Sequence, residues 1–135
     1  SDKYEFKWGY SHDSRLRHMS DDKSLTHIYP ITHNFDRKGN LTFMYSSKRH
    51  EFQDHSKVLM RDQGRPFPVF DKGEYGCGRH TIFIPVKDKN EADVIIKFLK
   101  SSLYDSIRSS IVFGQRQVSP TPLNYIPQSY IKTHA

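Results

Sequence analysis

The chain has 135 residues, the length of one ordinary domain, which is enough to bury well over half of its unfolded surface. Twenty-one Lys and Arg residues against fifteen Asp and Glu residues give a net charge of +6, which favours a polyanionic partner. A single cysteine, Cys77, excludes an internal disulfide framework and fits a reducing cytosol, and no apolar run approaches the ~20 residues of a membrane span. Because Ser1 stands where an initiating Met is absent, we expect a piece of a longer intracellular protein.

Residues 1–23 are predicted to form an amino-terminal arm or edge strand. Tyr4, Phe6 and Trp8 alternate with polar residues, which is the pattern of a half-buried strand. The polar tract that follows, with Arg15 and Arg17, is typical of a surface loop.

A β-hairpin is predicted next. Two β-rich runs at about 24–33 and 40–46 flank residues 34–40, whose Asn, Asp and Gly residues favour a turn between paired strands. Residues 46–56 are polar and basic and are expected to form a loop.

Three further short strands are predicted before the first strong helical pattern. Residues 57–61 have the composition of a buried strand, residues 69–70 can pair with it, and residues 80–86 alternate with two isoleucines on one face. Three glycines within residues 73–78 indicate a sharp turn or the close approach of another segment.

One long helix is predicted from Asp88 to about Arg108. Asp88 and Glu91 form a capping box before an apolar run. An extended, proline-containing tail follows the helix. These elements predict an α+β fold with a mainly antiparallel sheet of about five or six short strands and one long helix packed across it. The core-facing residues of the helix recur at three- and four-residue spacing, and they are Ala92, Ile95, Ile96, Leu99, Leu103 and Ile107.

Motifs for catalysis and metal binding are weak in this sequence. His50 and His55 are spaced unlike paired zinc ligands. The glycines at 73, 76 and 78 open no helix, so the dinucleotide-binding pattern fails. Residues 5–7 give only a very short match to the acid-x-Lys unit of metal-dependent nucleases. We therefore expect no catalytic residue and no metal site in this chain, and a small nuclease-like domain remains an alternative.

Four groups of cationic and amide side chains are predicted to contact DNA from loops at 46–57, 61–66, 72–80 and 113–119. Cations on loops around a rigid sheet can bind phosphates, and the forked donors of Arg, Gln and Asn match guanine and adenine edges. Scattered solvated charge is the alternative explanation. The candidate DNA-binding residues are Lys48, Arg49, His50, Lys57, Arg61, Arg65, Tyr75, Arg79, His80, Gln115, Arg116 and Gln117.

Two roles are expected within this set. Replacing Lys57 with Ala should weaken binding to all sequences alike, whereas replacing Arg116 with Ala should cost ~1–3 kcal/mol and relax the preference at one base pair. Tyr75 is expected to stack on a base because its glycine neighbours cannot shield it. The expected phosphate ligands are Lys48, Lys57 and Arg61, and the expected base readers are Arg79, Gln115, Arg116 and Gln117.

Several short phrases between residues 25 and 128 occur in a characteristic order. They are KVLM at 57–60, PVFD at 68–71 with glycines at 73 and 76, HTIFIPV at 80–86, FLKSSLY at 98–104 and LNYIP at 123–127. This order resembles the carboxy-terminal target recognition domain of N6-adenine DNA methyltransferases, in type II restriction-modification systems and their phage or large-virus relatives.

The resemblance implies a DNA-reading domain at residues 24–128, followed by a short tail at 129–135. In that family a separate Rossmann-like domain transfers the methyl group from S-adenosylmethionine. This chain lacks the Asn/Asp-Pro-Pro-Tyr/Phe motif and the glycine-rich cofactor motif, and residues 124–127 do not replace them. We therefore expect no cofactor and no methyl transfer in this chain by itself.

The implied partners are double-stranded DNA and a methyltransferase catalytic domain in the same or another chain, with no membrane. The implied location is the cytoplasm, in a bacterial, phage or viral setting. The alternative from a different class is a protein-interaction module whose hydrophobic edge strands and tail pack on a partner chain, with the basic charge serving solubility.

Overall fold

A computed structural model describes residues 2–9, 18–62, 64–111 and 123–135. Within these ranges the chain forms seven strands and three helices, and none of the helices is long and apolar enough to cross a bilayer. The strands are β1 (Lys7–Trp8), β2 (Met19–Ser20), β3 (Tyr29–Phe35), β4 (Leu41–Ser46), β5 (Lys57–Arg61), β6 (Val69–Asp71) and β7 (Thr81–Pro85), and the helices are α1 (Lys89–Leu99), α2 (Ser102–Ile111) and α3 (Gln128–Thr133).

The larger sheet is antiparallel and has the strand order β1-β7-β5-β6. Its central strands, β5 and β7, pair over their full lengths, and Val58 lies opposite Ile84. Strand β1 pairs with β7 at the edge, as the alternation in residues 1–23 predicted. Because side chains alternate along a strand, Ile82 and Ile84 face one side and Phe83 faces the other, which confirms the predicted division of this strand.

Helix α1 begins where the capping residues predicted. The Asp88 side chain accepts a hydrogen bond from the Glu91 amide at 2.9 Å, and the Glu91 carboxylate accepts one from the Lys87 amide at 2.9 Å. The helix buries Ala92, Ile95, Phe98 and Leu99 against the sheet face that carries Val58, Met60, Ile82 and Ile84. Each fully buried large apolar side chain stabilises the fold by roughly 1.5–3 kcal/mol.

The prediction of one unbroken helix to about Arg108 is wrong, because α1 ends at Leu99 and α2 starts at Ser102. The Ser101 hydroxyl donates to the Phe98 carbonyl at 2.6 Å and accepts from the Tyr104 amide at 3.1 Å. A serine side chain that bonds to the local backbone replaces the regular helical bonds and starts a new helix. The break lets Tyr104 enter the core beside Phe98.

A second, three-stranded sheet has the order β2-β4-β3, so the predicted single sheet of five or six strands is wrong although the α+β class is confirmed. The predicted hairpin is present as β3 and β4, but β3 begins at Tyr29 rather than near residue 24. Its turn is closed by Asp36, whose Oδ1 accepts from the Lys38 and Asn40 amides at 2.8 and 2.9 Å.

The two sheets are joined where β3 meets the glycine-rich segment. The Thr32 hydroxyl accepts from the Gly78 amide at 2.9 Å and lies 2.7 Å from the Thr81 hydroxyl. A Cβ at Gly78 would lie 1.9 Å from the Thr32 carbonyl oxygen, so only glycine permits this approach. Leu41 of β4 packs on the cluster of Leu59, Cys77 and Phe83, which places the small sheet on the side opposite α1.

Both ends of the described chain pack into the core beneath α1. The Asn124 side chain accepts from the Phe6 amide at 2.6 Å and donates to the Phe6 carbonyl at 3.2 Å. Ile131 of α3 and Tyr4 are buried in the same core. Residues from all three predicted segments, 1–23, 24–128 and 129–135, therefore share one hydrophobic core.

Candidate functional site

A polar cleft of about 220 Å³ lies where the β3–β4 turn meets the carboxyl end of β5. We call it the hairpin cleft. Two of the predicted DNA-binding residues, Arg61 and His80, lie in it, although they are nineteen positions apart in the sequence. The cleft is lined by Asn34, Phe35, Asp36, Arg37, Arg61, Asp62 and His80.

Arg61 is held in this cleft by packing. Its guanidinium carbon lies 5.5 Å from the centroid of the Phe67 ring, which is a cation–π contact. A Cβ at Gly64 would lie 3.3 Å from Arg61 Nη2, so the glycine leaves room for the guanidinium. Among the described residues, the Arg61 guanidinium donates no hydrogen bond to another group. Its donors are therefore oriented and remain available to a ligand.

His80 and Asp62 form a polar pair in the lining of the hairpin cleft. His80 Nδ1 lies 3.4 Å from Asp62 Oδ2, and the Asp62 side chain is only 3% exposed. Burial raises the pKa of the Asp62 carboxyl, and the nearby His80 opposes this effect. This contact at Nδ1 orients the imidazole, so Nε2 is the ring nitrogen left for a ligand.

The lining of the hairpin cleft is close to electrically neutral. Arg37 and Arg61 contribute two positive charges, while Asp36 and Asp62 contribute two carboxyl groups. The hydrogen bond from the Asn40 amide, aided by those from Lys38 and Gly39, lowers the pKa of Asp36, so this carboxylate stays ionised near neutral pH. The cleft thus offers both donors and acceptors to a ligand.

A second cleft of about 330 Å³ lies beside the first, and we call it the proline cleft. Its Phe67 has a φ of +44°, a strained value for a residue other than glycine. The Phe67 ring stacks on Phe35 at a centroid distance of 6.5 Å and also contacts the Arg61 guanidinium. It therefore forms the wall between the two clefts. The proline cleft is lined by Arg65, Pro66, Phe67, Pro68, Leu99, Lys100 and Asp105.

Five basic side chains line the two clefts, together with the carboxyl groups of Asp36, Asp62 and Asp105, and we call these five the cationic face. No Asp or Glu oxygen in the described ranges lies within 4 Å of the charged groups of the four Arg and Lys residues. The cationic face consists of Arg37, Arg61, Arg65, His80 and Lys100.

The predicted cluster Lys48, Arg49 and His50 lies elsewhere. It follows the end of β4, whereas the hairpin turn precedes the start of β4, so roughly 17 Å of strand separates them. Arg49 pairs with Asp54 at 2.9 Å and lies over the Tyr29 ring at 5.5 Å, and its hydrogen bond to Tyr29 raises its pKa. Such an exposed ion pair contributes little, so it does not prevent a phosphate contact.

The assignment of Lys57 to a DNA phosphate is wrong. The Lys57 side chain is fully buried and pairs with Asp71 Oδ2 at 2.5 Å. Its ammonium also donates to the carbonyls of Phe52 and His55 at 2.9 and 3.1 Å. All three ammonium donors are engaged within the protein, and none can reach a ligand.

The expectation that Tyr75 is unshielded is also wrong. Its ring packs against Phe43 at a centroid distance of 4.7 Å, and burial raises its pKa. Arg79 is exposed in the turn before β7 but does not line either cleft. The remaining predicted base readers, Gln115, Arg116 and Gln117, lie outside the described residues.

Sequence reasoning missed Asn34, Arg37, Asp62 and Lys100. The first two belong to a segment that was interpreted only as a turn, and a basic residue within a predicted turn is a signal that could have drawn attention to it. Lys100 falls within the predicted continuous helix but is not among its core-facing residues. Its position beside the proline cleft follows from the end of α1 at Leu99.

Within the described ranges, no group of three or more His, Cys, Asp or Glu side chains is arranged to hold a metal ion. No protein-family model, curated protein or solved structure matches this chain.

Proposed function

We propose that the chain is a sequence-specific DNA-binding domain, the target recognition domain of, or related to, an N6-adenine DNA methyltransferase of a restriction-modification system. Its partner is double-stranded DNA in the cytoplasm, in a bacterial, phage or viral setting. The methyl donor, S-adenosylmethionine, belongs to a catalytic domain in the same or another chain. The cationic face is the observation that carries the DNA-binding part of this proposal, and the order of sequence phrases at 57–127 supports the relation to the methyltransferases.

Charge and placement favour DNA over a neutral partner. Phosphate oxygens are the usual acceptors for Arg and Lys on a DNA-binding surface, and these contacts fix the position of the protein on the duplex. Two phosphate contacts, from Arg65 and Lys100, would release condensed counterions and contribute about −1.8 to the slope of log K against log salt concentration.

The test is an anisotropy titration of a labelled duplex between about 50 and 200 mM salt. Replacing Arg65 and Lys100 with Ala should reduce the magnitude of the slope by about 1.8, because two phosphate contacts are lost. The matched control is the double Ala variant of Lys97 and Lys132, which are exposed and line neither cleft. Equal slopes for both double variants would remove the cationic face from the proposal.

Sequence recognition needs its own test. We expect the chain to enrich a short motif when bound duplexes are selected from a random-sequence library. We also expect no methyl transfer by this chain alone when tritiated S-adenosylmethionine is supplied. Binding with a steep salt slope but no enriched motif would leave a non-specific DNA-binding domain and refute target recognition.

A protein-interaction module is the second candidate, and exposed aromatic residues favour it. Trp8 on the edge strand β1 is 38% exposed, and Tyr125 and Tyr130 near the carboxyl end are 71% and 37% exposed. The two ends adjoin through the pairing of Lys3 with Pro127. Binding to a partner protein through these rings would change little with salt, because apolar contacts are not screened. The salt titration therefore separates the two candidates.

A further inference from the structure

We propose that the hairpin cleft binds a guanine base that is unpaired in, or extruded from, a DNA strand, and that Arg61 reads its edge. This inference rests on the proposed function, because the DNA supplies the base. It assigns a ligand, a single base, and a recognition residue, Arg61, to this cleft of about 220 Å³. The net positive charge of the chain does not account for such a cleft.

The charge balance of the cleft favours a base over a phosphate. Asp36 and the nearly buried Asp62 lie in the same lining as Arg37 and Arg61, so their carboxyl groups weaken the attraction of the two guanidinium groups for a phosphate anion. A base is uncharged and carries both acceptors and donors on its edges, which matches a lining of both kinds. The phosphates of the same strand can instead bind Arg65 and Lys100 in the neighbouring proline cleft.

The unbonded N–H donors of the Arg61 guanidinium match guanine best among the four bases. Guanine presents two adjacent acceptors, O6 and N7, and a guanidinium donates to both at once. Adenine places an amino donor beside N7, which would face the Arg61 donors. Within the described ranges, Asp36 Oδ2 accepts only the 3.3 Å bond from the Asn40 side chain and so supplies an acceptor in the same cleft for an N–H group of guanine.

The position of Arg61 in a cleft favours a base that has left the helix. Arg61 is half-buried and lines a concave site, whereas a base within a duplex is itself recessed in a groove. A concave lining of this kind suits a base that projects from the strand, as in proteins that bind extruded bases. The cleft is also smaller than the ~300–1,000 Å³ of sites for drug-sized ligands, which suits a single base.

Arg61 is oriented by Phe67, a residue with a strained backbone conformation. Phe67 keeps its strained φ of +44° because its ring is packed between Arg61 and the hairpin, where Phe35 lies at 6.5 Å. The Phe67 ring orients the guanidinium plane without consuming any of its N–H donors. A donor group that is oriented before binding loses little freedom when the ligand arrives.

The experiment measures the anisotropy of labelled thymidine decamers that carry one central guest base, with the intact chain at low salt. We expect the guanine guest to bind about tenfold tighter than adenine, cytosine or thymine. A 7-deazaguanine guest, which lacks the N7 acceptor, should lose this preference. The last comparison changes only the ligand and does not depend on the folding of a variant.

Protein variants complete the test. Arg61→Met keeps much of the side-chain length but removes all the donors, and it should lose the guanine preference. The control Lys97→Ala also removes one charge, outside the clefts, and should retain the preference. If Arg61→Met retains the parent's preference for the guanine guest, Arg61 is not the reader and the inference is overturned.

The remaining measurements show whether the guanine is bound in a single strand, in a duplex or as a free nucleotide. They also show whether a failure concerns this inference alone or the proposed function as well. A guanine dependence that is equally strong in a duplex would show readout of a base pair, and 5′-GMP binding as tight as the decamer would show a free-nucleotide site; either result overturns the inference. Salt-dependent DNA binding without any guanine preference overturns this inference alone. Absence of salt-dependent binding to any DNA overturns the proposed function as well.

Discussion

Replacing Lys57 with Met tests whether this lysine serves the fold rather than DNA. Lys57 is fully buried, and its ammonium bonds to the carbonyls of Phe52 and His55 and to Asp71. Met has a similar length but no charge, so the variant removes all three hydrogen bonds with little change in volume. We expect a large loss of stability and no change in DNA affinity per folded molecule.

The expected loss of stability follows from the hydrogen bonds that Asp71 keeps when Lys57 is replaced. Without Lys57, the Asp71 carboxylate keeps three hydrogen bonds, from the amides of Gly73, Glu74 and Tyr75 at 3.0, 2.8 and 3.1 Å. Removing one partner of a buried ion pair costs ~3–5 kcal/mol, and these three bonds place Lys57→Met near the lower end. Asp71→Asn removes the opposite charge beside a buried ammonium and should cost about 4 kcal/mol.

The double variant, with Lys57→Met and Asp71→Asn, leaves no buried charge. We expect it to lose at least about 2 kcal/mol less than the sum of the single losses, because residues in direct contact are energetically coupled. A domain with a free energy of unfolding of ~5–15 kcal/mol survives each change but becomes measurably weaker.

Urea unfolding followed by circular dichroism measures these losses. With a slope of about 2 kcal/mol per molar urea, Lys57→Met should lower the midpoint by roughly 1.5 M. The control Lys97→Met changes an exposed lysine and should stay within about 0.5 kcal/mol. A Lys57→Met variant of parental stability that loses DNA affinity would refute the buried ion pair and restore the phosphate contact.

Three other predictions concern the hairpin, the first helix and the buried titratable groups. Gly39→Ala should cost ~1–3 kcal/mol, because Gly39 has a φ of +88° and a Cβ would lie 2.4 Å from the Phe67 ring; an unchanged melting temperature would contradict it. Asp88→Ala should cost ~1 kcal/mol through loss of the helix cap, measured by urea unfolding, while Asp88→Asn should retain most of the stability. Burial raises the pKa of Cys77 and of Tyr104 to about 12, so the folded chain keeps protons that the unfolded chain releases, and stability should fall as pH rises from about 9 toward 12. Native Cys77 should correspondingly resist a thiol reagent at pH 8 until urea is added, and prompt labelling of the native chain would show that the thiol is exposed.

The local elements could be predicted because neighbouring residues determine them. The cap at Asp88 depends on residues only three positions apart, and the Asp36–Asn40 turn is closed by one side chain and nearby amides. The alternation in β7 fixes which side chains face the helices. The glycine at 78 signalled close approach, and the partner turned out to be Thr32.

The candidate site depended on contacts between distant residues, which no local pattern reports. The basic cluster at 48–50 led us to expect Lys57 at a DNA phosphate, but Lys57 pairs in the interior with Asp71, fourteen residues away. Conversely, Arg37 and His80 meet in one cleft only because β3 docks on the glycine-rich segment.

The α+β class, the basic charge and the position of most strands and of α1 follow from local sequence patterns. The arrangement of the strands in two sheets, the helix break at Ser101 and the grouping of cations around the clefts depend on long-range packing. The physical reason is that a charged side chain takes the location where its whole surroundings, rather than its sequence neighbours, satisfy it.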